Sequence, residues 1–218
     1  MGTVNIIDYT TKDPITMIGR MAGICYGSDV SDQKKNKERG IDCLVTGHGR
    51  TWEFPDVYME LDGYSARVIR EWYTHIGGAP TRLQASTRYI DYRDFDYVVP
   101  DIKNEAIYHE FMDHTKEYVS FLMDHGVSKE DVANMLPLGM TTKIVCKHNL
   151  RNLIDMSHQR MCTRAYKEFR QLFSDVCDAL RGYSDEWQYV VDNYFMPKCE
   201  YLGRCIEKRS CGRMDKHE

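Results

Sequence analysis

Asp56-Val57-Tyr58-Met59-Glu60-Leu61, followed by Ser65 and the run to Gly77-Gly78-Ala79-Pro80, is the stretch whose reading decides the architecture. Val57, Met59 and Leu61 alternate with Asp56, Tyr58 and Glu60, the period of a half-buried strand. Ser65 can cap the next helix, where Val68, Ile69, Trp72, Tyr73 and Ile76 mark one face. Two glycines and a proline cannot comfortably continue a helix, so it must end at Gly77-Gly78-Ala79-Pro80. A strand running directly into a helix recurs downstream: Thr141 to Cys146 is rich in strand formers, and a long helix fits residues 149–173.

Working outward, Asp13-Pro14 opens a helix with the aspartate as N-cap and the proline at the first helical position. A polar helix over residues 31–46 follows. A long one over 104–125 has Ile107, Phe111, Tyr118, Phe121 and Leu122 as apolar positions. Ser128-Lys129-Glu130-Asp131 resembles a capping-box start for a short helix to Leu136. The mixture predicts an α+β fold rather than a doubly wound sheet: a single domain with a mostly antiparallel sheet flanked by long helices. A catalytic domain is expected over residues 1–197, with a Cys-rich C-terminal tail over 198–218.

At 218 residues the chain can bury one sizeable core. Its 29 Lys and Arg against 33 Asp and Glu leave a net charge of -4, which argues against general affinity for nucleic acid. No apolar run approaches the roughly 18 residues of a membrane span. The first residues lack a basic region followed by an apolar stretch, so a cytoplasmic location is expected. An even count of eight cysteines does not imply disulfides in a reducing compartment. Cys25, Cys43, Cys146, Cys162 and Cys177 read as packing residues. Cys199, Cys205 and Cys211, spaced C-x5-C-x5-C, lack the usual zinc pairing and need a fourth ligand such as His217 or Cys177. Free thiols in a basic tail are the simpler reading, and no metal is expected.

Three segments can carry chemistry. Thr81 to Tyr89 holds Arg82, Gln84, Ser86, Thr87 and Arg88 directly after the glycine break, enough donors for an anion or a heterocycle, or else the solvated side chains of an edge strand. The helix from Asn149 puts Arg160 and Arg164 four residues apart on one face, with Asn149 and Arg151 near an N-terminus suited to anions. His48 and Glu53 form a loop pair that can orient a cofactor or cap a neighbouring helix.

In order and spacing, these segments resemble the flavin-dependent thymidylate synthases over residues 15–170. Ser86-Thr87-Arg88-Tyr89 is similar to the end of that family's Arg-His-Arg-x-x-Ser-x-Asn-Glu-x-Ser-x-Arg-Tyr signature. Leu136-Pro137, Thr142, Asn149-x-Arg151 and the run from Arg160 to Glu168 are similar to its second half. The resemblance implies methylation of dUMP to dTMP, with methylenetetrahydrofolate as carbon donor, FAD as hydride carrier and NADPH as reductant. It implies that Arg82, Gln84, Ser86, Thr87 and Arg88 hold dUMP, with Arg160 catalytic at the pyrimidine edge. His48, Glu53, Gly77, Gly78, Asn149, Arg151, Asp155 and Arg164 would hold FAD. It also implies a homotetramer whose active sites draw on several subunits.

The departures from the family pattern are specific. The Arg-His-Arg of the signature falls on Ile76-Gly77-Gly78, a phosphate-binding arginine on Ala133, and Gln84 stands where glutamate is usual. Asp155, Arg164 and Tyr166 replace a usual asparagine, histidine and glutamine. Arg82 and Arg164 are expected to restore part of the missing charge, while Gly77 and Gly78 admit close backbone approach to a ligand. The replaced arginines keep two other readings open: a flavoenzyme for another pyrimidine nucleotide, and a silent nucleotide-binding homologue.

Overall fold

The computed structural model describes residues 2–215. Its sheet has four antiparallel strands, β1 (Thr3–Ile6), β2 (Asp56–Ser65), β3 (Thr81–Gln84) and β4 (Thr141–Asn149), in the order β1-β2-β4-β3. The helices are α1 (Pro14–Cys25), α2 (Gln33–Val45), α3 (Ala66–Trp72), α4 (Glu105–Asp124), α5 (Lys129–Val132), α6 (Leu150–Arg160), α7 (Lys167–Tyr183), α8 (Asp185–Tyr194) and α9 (Lys198–Leu202). The fold is α+β, as the strand and helix signals require.

Two compact units divide the chain: one holds Glu60–Thr74 and Arg82–Val145, the other Val4–Met59, His75–Thr81 and Cys146 onward. The long strands β2 and β4 contribute residues to each. In the first unit, Phe95, Met112 and Met140 form a buried cluster walled by Tyr92, Tyr97, Tyr108 and Leu136. In the second, α1 and α2 cross closely enough that a Cβ on Gly19 would sit 1.7 Å from the Asn36 carbonyl oxygen, so any larger residue must separate the helices. Ile15, Ile18, Phe169, Leu172, Phe173 and Trp187 fill its core.

Several sequence expectations change in detail. Ser65 caps α3, accepting from the Val68 amide at 3.2 Å, but the helix stops at Trp72 and Ile76 is 72% exposed. Asp13 sits at the N-cap of α1 without a side-chain cap bond; Glu186 instead accepts from the Thr16 amide at 2.9 Å. In α4 the buried positions are Met112, Thr115 and Val119, while Ile107, Phe111, Tyr118 and Phe121 are exposed. The helix expected over 149–173 is broken between α6 and α7, with no glycine or proline to announce the break. Met161 is the C-cap of α6, and its carbonyl accepts from the Arg213 guanidinium at 3.3 Å instead of continuing the helix. Arg164 therefore lies in the intervening turn, not one helical turn beyond Arg160.

Candidate active site

All the flavin-site candidates fall in the second unit, and several touch. Asn149 is the N-cap of α6: its Oδ1 accepts from the Asn152 amide at 2.9 Å, and its Nδ2 donates to the Gly78 carbonyl at 3.4 Å. Gly78 has φ +71, and a Cβ there would lie 2.3 Å from Asn149 Nδ2. The close approach that this glycine permits is thus to the start of α6, which is how the break after α3 is laid against Asn149. Arg151 donates to Glu53 at 2.6 Å, and Arg50 binds the other carboxylate oxygen at 3.2 Å. Gly49 lies beside the Arg151 guanidinium, bringing the His48 loop to the same place. The His48 ring itself is exposed and pairs with the Thr46 hydroxyl at 2.9 Å. Asp155 lies exposed on α6, and Arg164 pairs with Glu207 at 3.1 Å.

Arg160, the last residue of α6, is braced from two sides. Its Nε donates to His75 Nε2 at 2.8 Å, and its guanidinium carbon stands 4.4 Å above the Phe169 ring. His75 is buried and itself tilts against Phe169, with ring centroids 5.9 Å apart. For Nε2 to accept, the His75 proton must reside on Nδ1. The hydrogen bond and the aromatic face fix the guanidinium at the end of α6, and a guanidinium is a good partner for an anion. Sequence reasoning missed both supports; His75 was visible only as a lone polar residue before the glycine break.

The nucleotide candidates Arg82, Gln84, Ser86, Thr87 and Arg88 belong to the first unit. Edge strand β3 carries Arg82 and Gln84, and the turn after it carries the rest. Arg82 donates to the Tyr73 carbonyl at 2.8 Å and stacks 4.6 Å above that tyrosine ring. Gln84 donates to Thr142 at 3.3 Å, Ser86 Oγ accepts from the Arg88 amide at 3.2 Å, and Arg88 pairs with Glu130 at 3.2 Å.

A cavity of about 360 Å³ lies in the second unit, between the end of α6, the turn after it and the C-terminal tail. Arg160 and Arg164 line it, and so do Cys162, Cys199, Cys205 and Cys211. Cys162 is therefore not a core residue, and Cys25 is exposed, whereas Cys43, Cys146 and Cys177 are buried as expected. Burial pushes the Cys177 thiol up to about 12. Hydrogen bonds from Thr163 and the Arg213 amide pull the Cys211 thiol down. Among the described residues no three His, Cys, Asp or Glu side chains are grouped to hold a metal ion, and His217 lies outside those residues. No helix among them is long and apolar enough to cross a membrane.

Comparison with known proteins agrees with this geometry. A family model described as thymidylate synthase complementing protein matches residues 5–183. A flavin-dependent thymidylate synthase from Geobacter sulfurreducens is 27% identical over 79% of each chain. One from Nitratidesulfovibrio vulgaris is 28% identical over 93% of this chain and 91% of its own. The solved structure of thymidylate synthase X from Helicobacter pylori, obtained with FAD and dUMP, superposes with a TM-score of 0.71 at 20% identity, covering 89% of this chain and 99% of that one. With the match spanning both strands that frame the site and the whole of α6, the chain belongs to the thymidylate synthase complementing protein family.

Proposed function

We propose that the protein is a flavin-dependent thymidylate synthase, a methyltransferase that converts dUMP to dTMP. Methylenetetrahydrofolate gives the carbon and NADPH the hydride, so that dUMP, methylenetetrahydrofolate, NADPH and a proton yield dTMP, tetrahydrofolate and NADP⁺. The observation that carries this reading is the braced Arg160 in a chain of this family.

The donor set fits FAD. The exposed His48 and Arg151 suit its pyrophosphate, Asn149 offers an amide beside a glycine segment free of side chains, and Glu53 orients Arg151. Gly77, Gly78, Asp155 and Arg164 complete the set. When bound, FAD supplies the hydride transfer between NADPH and the one-carbon unit. The chain's own groups bind and polarise. Arg82, Gln84, Ser86, Thr87 and Arg88 hold dUMP, and Arg160 at the pyrimidine edge stabilises negative charge as C5 becomes nucleophilic. His75 and Phe169 position Arg160 rather than touching substrate. No thiol is needed as a nucleophile.

The exposed apolar residues Ile107, Phe111, Tyr118 and Phe121 on α4 support assembly into a homotetramer with sites shared between subunits. Residues 1–197 are the catalytic domain, 198–218 are a Cys-rich C-terminal tail, and the enzyme acts in the cytoplasm. Purified protein should be yellow and form dTMP only when FAD, NADPH, methylenetetrahydrofolate and dUMP are all present. Absence of dTMP with all four supplied rejects the proposal.

A further inference from the structure

Four of the eight cysteines meet at one place. Cys162, from the turn after α6, and Cys199, Cys205 and Cys211, from the tail, line the cavity of about 360 Å³. Two contacts lay the tail along that turn. The Met161 carbonyl accepts from the Arg213 guanidinium at 3.3 Å, and the Thr163 side chain hydrogen-bonds the Cys211 sulfur. Cys162 stands between these two attachment points, so the contacts bring it and Cys211 to neighbouring positions on the same cavity. Gly212, with φ +85, makes the bend between Cys211 and Arg213. The Ser210 hydroxyl braces that bend, accepting from the Gly212 amide at 3.1 Å and donating to the Met214 carbonyl at 3.4 Å.

The two thiols are suited to different parts. Cys211 is exposed, and hydrogen bonds from Thr163 and the Arg213 amide, with the Arg213 charge close by, favour its thiolate, the form of cysteine that attacks. Cys162 is half-buried. A solvent-open thiolate beside a more sheltered thiol is the arrangement in which one sulfur meets an oxidant and the other resolves the product. The remaining cysteines lack it: Cys43, Cys146 and Cys177 are buried, and Cys25, though exposed, lies on α1. Among the described residues no three of these thiols are grouped for a metal ion, which favours chemistry between two of them.

We propose that Cys211 and Cys162 are a hydroperoxide-responsive thiol pair whose disulfide fastens the tail to the turn after α6. The Cys211 thiolate attacks one oxygen of the hydroperoxide, the O–O bond breaks, and the departing oxygen takes a proton from solvent to leave as water or an alcohol. Cys211 is then a sulfenic acid. The Cys162 sulfur attacks that sulfur, forms the S–S bond and displaces the hydroxyl, which leaves as water with the proton Cys162 gives up. In sum, two thiols and one hydroperoxide yield a disulfide, an alcohol or water, and one further water; the sulfurs lose the two electrons that the O–O bond gains. A dithiol reductant reverses the bond. In a reducing compartment such a bond is transient, so it answers to an oxidant and does not hold the fold together. The pair does not depend on the function proposed above, which uses neither thiol, and Cys211 lies beyond the family match that ends at residue 183.

The test treats the full-length, fully reduced protein with stoichiometric hydrogen peroxide in the absence of NADPH, then maps its peptides by mass spectrometry without reduction. The wild type should lose two thiols and yield one crosslink, between the peptides of Cys162 and Cys211, which dithiothreitol removes. In Cys162→Ser the crosslink should vanish and dimedone should trap a sulfenic acid on Cys211, formed on the order of 10-fold faster than on the exposed Cys25. In Cys211→Ser neither the crosslink nor fast trapping at Cys162 should appear. The wild-type map decides the matter even where a variant fails to fold. A crosslink that joins Cys211 to Cys199 or Cys205, or four unmodified cavity thiols after peroxide, overturns the assignment. So does stoichiometric zinc in protein purified without chelator, if it shields Cys162 and Cys211 until it is removed.

Discussion

Replacing His75 is the sharpest probe of how Arg160 is held. The Arg160 Nε to His75 Nε2 bond is 2.8 Å long and sits beside a buried imidazole, and a hydrogen bond to a charged group in such a place is worth about 1.5–3 kcal/mol. The Phe169 face, 4.4 Å from the guanidinium carbon, survives the substitution and retains about 0.5–2 kcal/mol. His75→Ala therefore removes about 2 kcal/mol of the positioning of Arg160, or roughly 30-fold in rate if that energy is expressed in the transition state. Steady-state dTMP formation should show the loss in kcat, with a smaller change in KM for dUMP, because the bond orients a catalytic group rather than building the nucleotide site. His75→Gln, whose side-chain oxygen can accept from Nε, should recover most of the rate. Thermal melts of both variants separate this effect from unfolding. A folded His75→Ala enzyme with wild-type kcat/KM, or a folded Gln variant no better than Ala, refutes the positioning role.

Three further outcomes follow from the geometry. Gly78→Ala adds a Cβ at φ +71 and 2.3 Å from Asn149 Nδ2, so it should cost about 2 kcal/mol in urea unfolding and weaken FAD binding; a neutral effect on both would contradict the role given to this contact. Burial holds the His158 imidazole below its usual range, so the unfolded chain binds the extra proton as pH falls below about 6.5. Stability should therefore decline from pH 7 toward acid and level off below the folded-state value, an increment absent in His158→Gln. A rise in wild-type stability over that window relative to the variant would reverse the sign and sink the reading. In native alkylation followed by mass spectrometry, the exposed Cys211 thiol, pulled down by its hydrogen bonds, should be modified far faster than Cys177, whose thiol is pushed up to about 12. Equal rates would contradict both assignments.

Much of the fold was legible where a local rule had no competitor. The alternation Val57, Met59, Leu61 became the fully buried face of β2, and the Ser65 cap formed because one hydroxyl and one orphan amide decide it locally. The face of α4 was misread because that helix carries apolar residues all round; periodicity finds a helix but cannot choose between two apolar stripes, and Met112 with Val119 won. The break after Arg160 had no breaker residue to reveal it. At the site, Asn149, Arg151 and Glu53 were singled out in the sequence, and the structure pairs Arg151 with Glu53 while Asn149 caps the helix that carries Arg151. His75 was not found, since its role depends on meeting Arg160 across 85 residues of chain. The cysteine tail was set aside as peripheral, although its cations and thiols line the same cavity as Arg160.

The central claim is that this chain moves a one-carbon unit onto the pyrimidine of dUMP with flavin and without an attacking thiol. Methylenetetrahydrofolate labelled with ¹³C in its methylene group tests it directly, with dUMP, FAD and NADPH supplied and product analysed by NMR. The account expects the label in the methyl group of dTMP, abolished by omission of FAD or by Arg160→Ala and retained when Cys162 is replaced by alanine. Unlabelled product, or no dTMP from the wild-type protein, would contradict it.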